Sequence, residues 1–121
     1  MSQQNLKIAE AYLTAMGNRD LEALCKDLHP QLRFKGPMFE TNDRESFLET
    51  TKKLFPLLKR VDILARFESQ DQTLFVYDTV FADPPGPSRT TGWMTFEGGK
   101  IKVIEVLYDP RPFEKLFQSR Q

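Results

Sequence analysis

Tyr12, Cys25, His29 and a few mid-chain carboxylates are the side chains here that could move a proton, attack a carbonyl or hold a metal. Tyr12 sits in the apolar run Ile8-Ala9-Glu10-Ala11-Tyr12-Leu13. A phenol in such a setting either finds a partner for its hydroxyl or donates to a ligand oxygen. Asp78 stands between Tyr77 and Thr79, in phase with Leu74, Val76 and Val80. If that face is covered, the carboxylate is desolvated and poised as a general acid or base. If instead Phe75, Tyr77, Thr79 and Phe81 face inward, Asp78 points to water or to a neighbouring subunit, and the aromatic row favours this second arrangement. Tyr12 and Asp78 are therefore the candidate catalytic pair. His29 is the sole histidine. A multi-histidine metal site is thereby impossible, no cysteine or carboxylate cluster replaces one, and no cofactor is expected. Cys25 and His29 have the i, i+4 spacing of a helical nucleophile–base pair, but His29 precedes Pro30 and reads as a helix-end residue. Glu40 and Asp43 either reach a pocket mouth or simply favour the N-terminal dipole of the helix that follows.

The elements that must position these groups follow from periodicity. Lys7, Glu10 and Thr14 mark the polar line of a helix from about Ser2 to Met16, whose other faces carry Ile8, Ala9, Ala11, Tyr12, Leu13 and Ala15. Gly17 should end it in the left-handed conformation, and Asp20 should cap a second helix, Leu21 to Leu28, stopped by His29-Pro30. Leu32, Phe34 and Gly36 alternate with Arg33 and Lys35 as a short strand. Asn42 with Glu45 fits a capping box opening a helix whose Phe47, Thr51, Leu54 and Leu58 share a face, and Pro56 should end its regular part near Leu54 or Phe55.

After Lys59 the period becomes two. Val61, Ile63, Ala65 and Phe67 alternate with Asp62, Leu64, Arg66 and Glu68, followed by strands at Thr73 to Ala82, Arg89 to Phe96 and Lys100 to Tyr108. The "DPPGPS" loop and the "EGG" turn join them into an antiparallel meander. A short helix over Pro112 to Gln118 closes the chain. Helices first and a curled meander after them predict one α+β domain over residues 1–121, a curved sheet wrapped on the first helix with a ligand space between the two walls.

Ten Phe in 121 residues must line a core, a pocket or an interface. Seventeen basic residues balance seventeen acidic ones, so no net field draws nucleic acid. Nowhere is there the ~18-residue apolar stretch that crosses a membrane. No basic-then-apolar leader opens the sequence, and Cys25 alone cannot form an internal disulfide; both fit a cytoplasmic protein.

The stretches "AYLTAMGNRDLEALCKDLHPQLRFKGP" and "MTFEGGKIKVIEVLYDP" resemble the nuclear transport factor 2-like superfamily, and within it the SnoaL-like and ketosteroid isomerase-like proteins. The resemblance implies a cystatin-like cone, helices packed on a strongly curved antiparallel sheet. Among its isomerases an aspartate base works with a tyrosine and a protonated acid that hold the oxyanion. Carried onto this sequence, the tyrosine is Tyr12, the base falls on Gly36 and the protonated acid on Gly92. Glycine can neither accept nor donate the proton, so isomerisation by that route should be absent. The resemblance further implies a pocket for a small apolar molecule, lined by Tyr12, Met16, Phe34, Gly36, Met38, Phe55, Ile63, Tyr77, Gly92, Met94, Ile104, Val106 and Tyr108, with the two glycines leaving space. It turns Glu105 outward between Val103 and Leu107, an apolar outer row suited to a homodimer through the sheet.

Overall fold

The computed structural model describes residues 3–118. Helix α1, Gln3–Gly17, buries Ala9, Tyr12, Leu13 and Ala15, as its apolar spacing predicts, while Ala11 stays exposed. The expected start at Ser2 lies outside the described residues. Gly17 is not left-handed; Arg19 takes that conformation, with φ at 55°. Its guanidinium donates to the Leu58 carbonyl at 2.6 Å, which ties the end of α1 to a later strand. Gly17 serves close approach instead, since a Cβ there would sit 3.1 Å from the Val61 nitrogen.

Helix α2, Leu21–Lys26, is capped by Asp20, whose carboxylate accepts from the Ala23 amide at 3.1 Å. It ends two residues short of the expected Leu28, because strand β1, Leu28–Lys35, already begins there. His29 and Pro30 therefore belong to a strand. His29 Nδ1 accepts from the Gln31 amide at 3.0 Å and Nε2 lies 3.5 Å from Glu97. Without a shared helix the Cys25–His29 pairing is lost.

A two-residue strand β2, Glu40–Thr41, pairs back on β1. Helix α3, Arg44–Leu54, is capped by Asp43 rather than Asn42; its carboxylate accepts from the Ser46 amide at 2.7 Å. That bond, backbone to carboxylate, holds the Asp43 carboxyl below its ordinary range. A single 3₁₀ turn, Phe55–Leu57, follows, as the proline at its second position dictates.

Strands β3 (Leu58–Ser69), β4 (Gln72–Phe81), β5 (Pro87–Glu97) and β6 (Lys100–Leu107) form the expected meander. The Gly98-Gly99 turn between β5 and β6 needs φ of 60° and 77°, open to glycine at no steric cost. The six strands run in the order β2-β1-β6-β5-β4-β3. All neighbours are antiparallel except β1 and β6, which pair in parallel and bring the early strand against the last one.

Register shifts between Ile63 and Ala65 on β3 and between Thr95 and Phe96 on β5 add twist and bend to the sheet. The first also reverses the phase of β3. Phe67, expected to share a face with Val61, is 57% exposed on the other side. Helix α1 lies in the hollow of the sheet. Its Tyr12 and Leu13 share one core with Phe34, Phe47, Phe75, Met94, Ile101 and Ile104. A smaller cluster of Leu58, Phe81 and Phe113 attaches the final helix α4, Arg111–Gln118. No helix among the described residues is long and apolar enough to cross a membrane.

Candidate functional site: an apolar cavity carrying three phenols

The hollow is filled at one end and open at the other. Phe75, Met94, Ile101 and Ile104, each at most 1% exposed, close the end near the Gly98-Gly99 turn. Toward the opposite end, between α1, α3 and the far halves of β4 and β5, a cavity of about 430 Å³ remains. Phe34, Phe39, Phe47, Phe81 and Phe113 form much of its wall, with Leu54, Leu57 and Leu58 from the region where α3 gives way to β3. A wider groove of about 590 Å³ runs between α1 and α2, but it is a shallow, solvent-open surface lined by Lys7, Glu10, Asn18 and Asp20. It encloses nothing.

Three tyrosines bring polar chemistry into the cavity: Tyr12 from α1, Tyr77 from β4 and Tyr108 just past β6. Tyr12 and Tyr77 are 4% and 7% exposed, and neither hydroxyl is bonded to a described residue. The polar side-chain atoms sealed without a partner are Thr41 Oγ1, Arg44 Nε, Glu68 Oε2 and Thr73 Oγ1, and no tyrosine is among them. Tyr12 and Tyr77 are thus buried residues that both line the cavity, with no hydrogen bond from either hydroxyl to a described residue. Burial pushes the Tyr12 phenol far above its ordinary range, with the neighbouring Tyr77 adding to it. Burial and Tyr108 do the same to Tyr77, and burial alone to Tyr108. All three remain protonated at neutral pH. They are hydrogen-bond donors and not bases.

Further hydroxyls come from Thr79 and Thr90, whose oxygens lie 3.3 Å apart, and from Ser88. Of the described lining residues only Lys53 carries a charge, and none is a carboxylate, an imidazole or a thiol. Among the described residues no cluster of metal-ligating side chains occurs.

Seven of the residues expected to line the pocket do so: Tyr12, Met16, Phe34, Met38, Tyr77, Val106 and Tyr108. Six others do not. Met94 and Ile104 are packed solid in the closed end, at 0% and 1% exposure, while Phe55 and Ile63 pack against the core outside the cavity wall.

Gly36 and Gly92 leave no vacancy, because neighbours fill it. A Cβ at Gly36 would lie 2.9 Å from a Val106 methyl, and one at Gly92 would lie 3.1 and 3.2 Å from Tyr77 Cε1 and hydroxyl. The Tyr77 phenol thus stands beside the position where the resemblance puts the isomerase's protonated acid. Asp78, the second catalytic candidate, is not at the cavity. It pairs across the strands with Arg89 at 2.6 Å, while Tyr77 and Thr79 on either side of it line the space. Glu40 and Asp43 do not line it either. The larger omission was α3: Thr50, Thr51 and Leu54 form a wall, and the shared face of Phe47, Thr51 and Leu54 was its signal in the sequence, while Leu58, expected on that face, opens β3.

Comparison with solved structures places these features in a known frame. A protein of unknown function from Cytophaga hutchinsonii, described as nuclear transport factor 2-like, superposes with a TM-score of 0.80 at 22% identity, covering 91% of this chain and 94% of that one. An epoxide hydrolase of M. tuberculosis gives 0.78 at 16% identity, over 97% and 92%. A de novo designed protein with a curved β-sheet gives 0.81 at 18% identity, over 97% and 93%. At such identities the likeness is one of fold, and a hydrolase and a designed chain share it equally. Comparison with curated proteins returns no match. The profile of the SnoaL-like domain matches residues 9–104, from within α1 into β6, and by that match the chain belongs to the SnoaL-like domain family.

Proposed function

We propose that this protein binds a small, largely apolar molecule bearing acceptor oxygens, and does no acid–base chemistry on it. The observation that carries this reading is the pair of buried phenols, Tyr12 and Tyr77, that line a cavity whose described lining offers no proton acceptor. Two neutral donors suit a carbonyl or ether oxygen, and aromatic walls suit the rest of the ligand. A general base must stand within hydrogen-bond reach of the proton it takes, and Gly36 occupies the place the resemblance gives it. The alternative, an enzyme using Tyr12 with a nearby carboxylate, needs an acid that the described lining residues do not supply.

Calorimetry with 2-acetylnaphthalene and 2-ethylnaphthalene tests the reading. Both should bind, and Tyr77→Phe should weaken the ketone about 3- to 10-fold while sparing the hydrocarbon, the size of one neutral hydrogen bond. Failure of either compound to bind would sink the pocket reading. Accelerated deuterium exchange at the methyl group of the bound ketone would instead establish a base, and with it the enzyme.

The convex face of the sheet supports a second copy of the chain as partner. Phe67, Leu74 and Trp93 stand in register across β3, β4 and β5, and Phe67, Trp93 and nearby Leu107 are 57%, 45% and 63% exposed. Such a row can meet itself across a two-fold axis. Light scattering should give twice the chain mass, reverting to one chain mass in Trp93→Glu; a wild-type monomer at micromolar concentration would refute it. The part-buried, unpaired thiol of Cys25 fits a reducing compartment such as the cytoplasm.

A further inference from the structure

Resting on the pocket reading above, we infer that the ligand is an amphipathic carboxylate, its apolar body within the cavity and its charge at the mouth beside Lys53. The interior excludes the charge, because an unpaired anion among Phe34, Phe47 and Phe81 would lose its hydration without a counter-ion. The mouth does not. Lys53 is in the last turn of α3, and it alone of the described lining residues is charged. Its methylene stem can lie along the apolar wall while the ammonium stays in water.

That ammonium is also uncommitted. Lys53 forms no ion pair with any described residue, and exposed Glu49, one turn earlier on α3, does not engage it. Of the carboxylates next in sequence to cavity-lining residues, Glu40, Glu49, Glu105 and Glu114 do not line the cavity, and the other two are held by arginines. Asp78, between Tyr77 and Thr79, is held by Arg89 at 2.6 Å. Asp109, after Tyr108, is held by Arg111 at 2.7 Å, with hydrogen bonds from that arginine as the main reason its carboxyl is lowered to about 2. Among the described residues that line the cavity itself, the one charge is therefore positive. Hydroxyls inside and one ammonium outside fit a ligand whose oxygens accept and whose single formal charge is negative.

Octanoate and octanamide, nearly the same in size and differing in charge, serve as probes of the intact chain in titration calorimetry. Octanoate should bind about three- to fivefold tighter at low ionic strength, the scale of one partly exposed ion pair. The gap should shrink in 0.5 M sodium chloride, where exposed charges are screened. Lys53→Met keeps the stem and should abolish the gap; Lys53→Arg should keep the gap. Equal affinity for the two probes in the wild type overturns the inference and leaves the pocket reading standing. A gap that persists in Lys53→Met overturns it as well. If neither probe binds, the pocket reading falls and takes this inference with it.

Discussion

Replacing Phe47 by alanine is expected to lower the free energy of unfolding by about 3–5 kcal/mol, the range for deleting a buried aromatic ring. Phe47 is 1% exposed and is the side chain through which α3 grips the sheet and α1 together. Its ring centroid lies 5.1 Å from that of Phe34 on β1 and 6.4 Å from that of Tyr12 on α1, and Phe34 continues the stack to Phe39 at 4.9 Å. Truncation removes the middle of this chain of rings. The void would merge with the existing cavity, so neighbours that already face open space on one side have little to collapse onto, and relaxation recovers little of the loss. Urea unfolding measures it directly, with Phe47→Leu as the control at under about 1.5 kcal/mol. A loss below about 1 kcal/mol for the alanine variant would mean that α3 is held to the sheet by other contacts and that the ring stack is incidental.

The same ring shows what could be read from sequence. Its spacing with Thr51 and Leu54 identified a face of α3, because helical periodicity is local and Pro56 marked the end, whereas Leu58, expected on the same face, opens β3. Strand β4 was legible in the run Thr73, Phe75 and Tyr77, and β6 in Ile104 and Val106, although the buried Val80 and Ile101 fall out of those phases. Strand β3 was not, because the extra residue between Ile63 and Ala65 shifts the phase, and nothing in the residue types announces a bulge. The parallel pairing of β1 with β6 joins residues about seventy positions apart and leaves no periodic trace.

The site was less legible than the fold for a related reason. Alternation tells which face a side chain takes and not how far along the hollow it lies. Tyr77 and Met94 both point inward; one meets open space and the other solid packing. That difference depends on how α1 and α3 lie across the sheet. Asp78 illustrates the converse. The aromatic row beside it favoured the outer face, and the structure places it there, away from the cavity and paired with Arg89, which stands opposite it in register.

Gly92→Asp should destabilise the protein by about 2–4 kcal/mol, and the deficit should grow with pH. The steric part arises because a Cβ at this position would stand 3.1 Å from the Tyr77 ring and 3.2 Å from its hydroxyl, so the phenol must swing away from a site where it is 7% exposed. Forcing extra atoms into such a place costs about 1–3 kcal/mol, and burying a carboxyl adds a comparable amount. The electrostatic part fixes the sign of the pH dependence. Burial raises the new carboxyl above the ~3.9 it has in the unfolded chain, so the folded variant binds more protons than the unfolded one once the pH passes that value. Stability relative to wild type therefore falls as pH rises from about 4 through the raised folded value, and the deficit is smallest below pH 4. Denaturant unfolding of both proteins at pH 4 and pH 7.5 measures it. A neutral substitution would show that Tyr77 leaves its place at no cost and that Gly92 guards an empty space. A deficit larger at pH 4 would show that the new carboxylate is stabilised by the phenols as an anion. The expected result instead ties glycine to tyrosine. At Gly92 a neutral phenol from the neighbouring strand stands where a side chain would go. At Gly36 a Val106 methyl does the same. Among the described lining residues the cavity keeps neutral donors and has no carboxylate or imidazole.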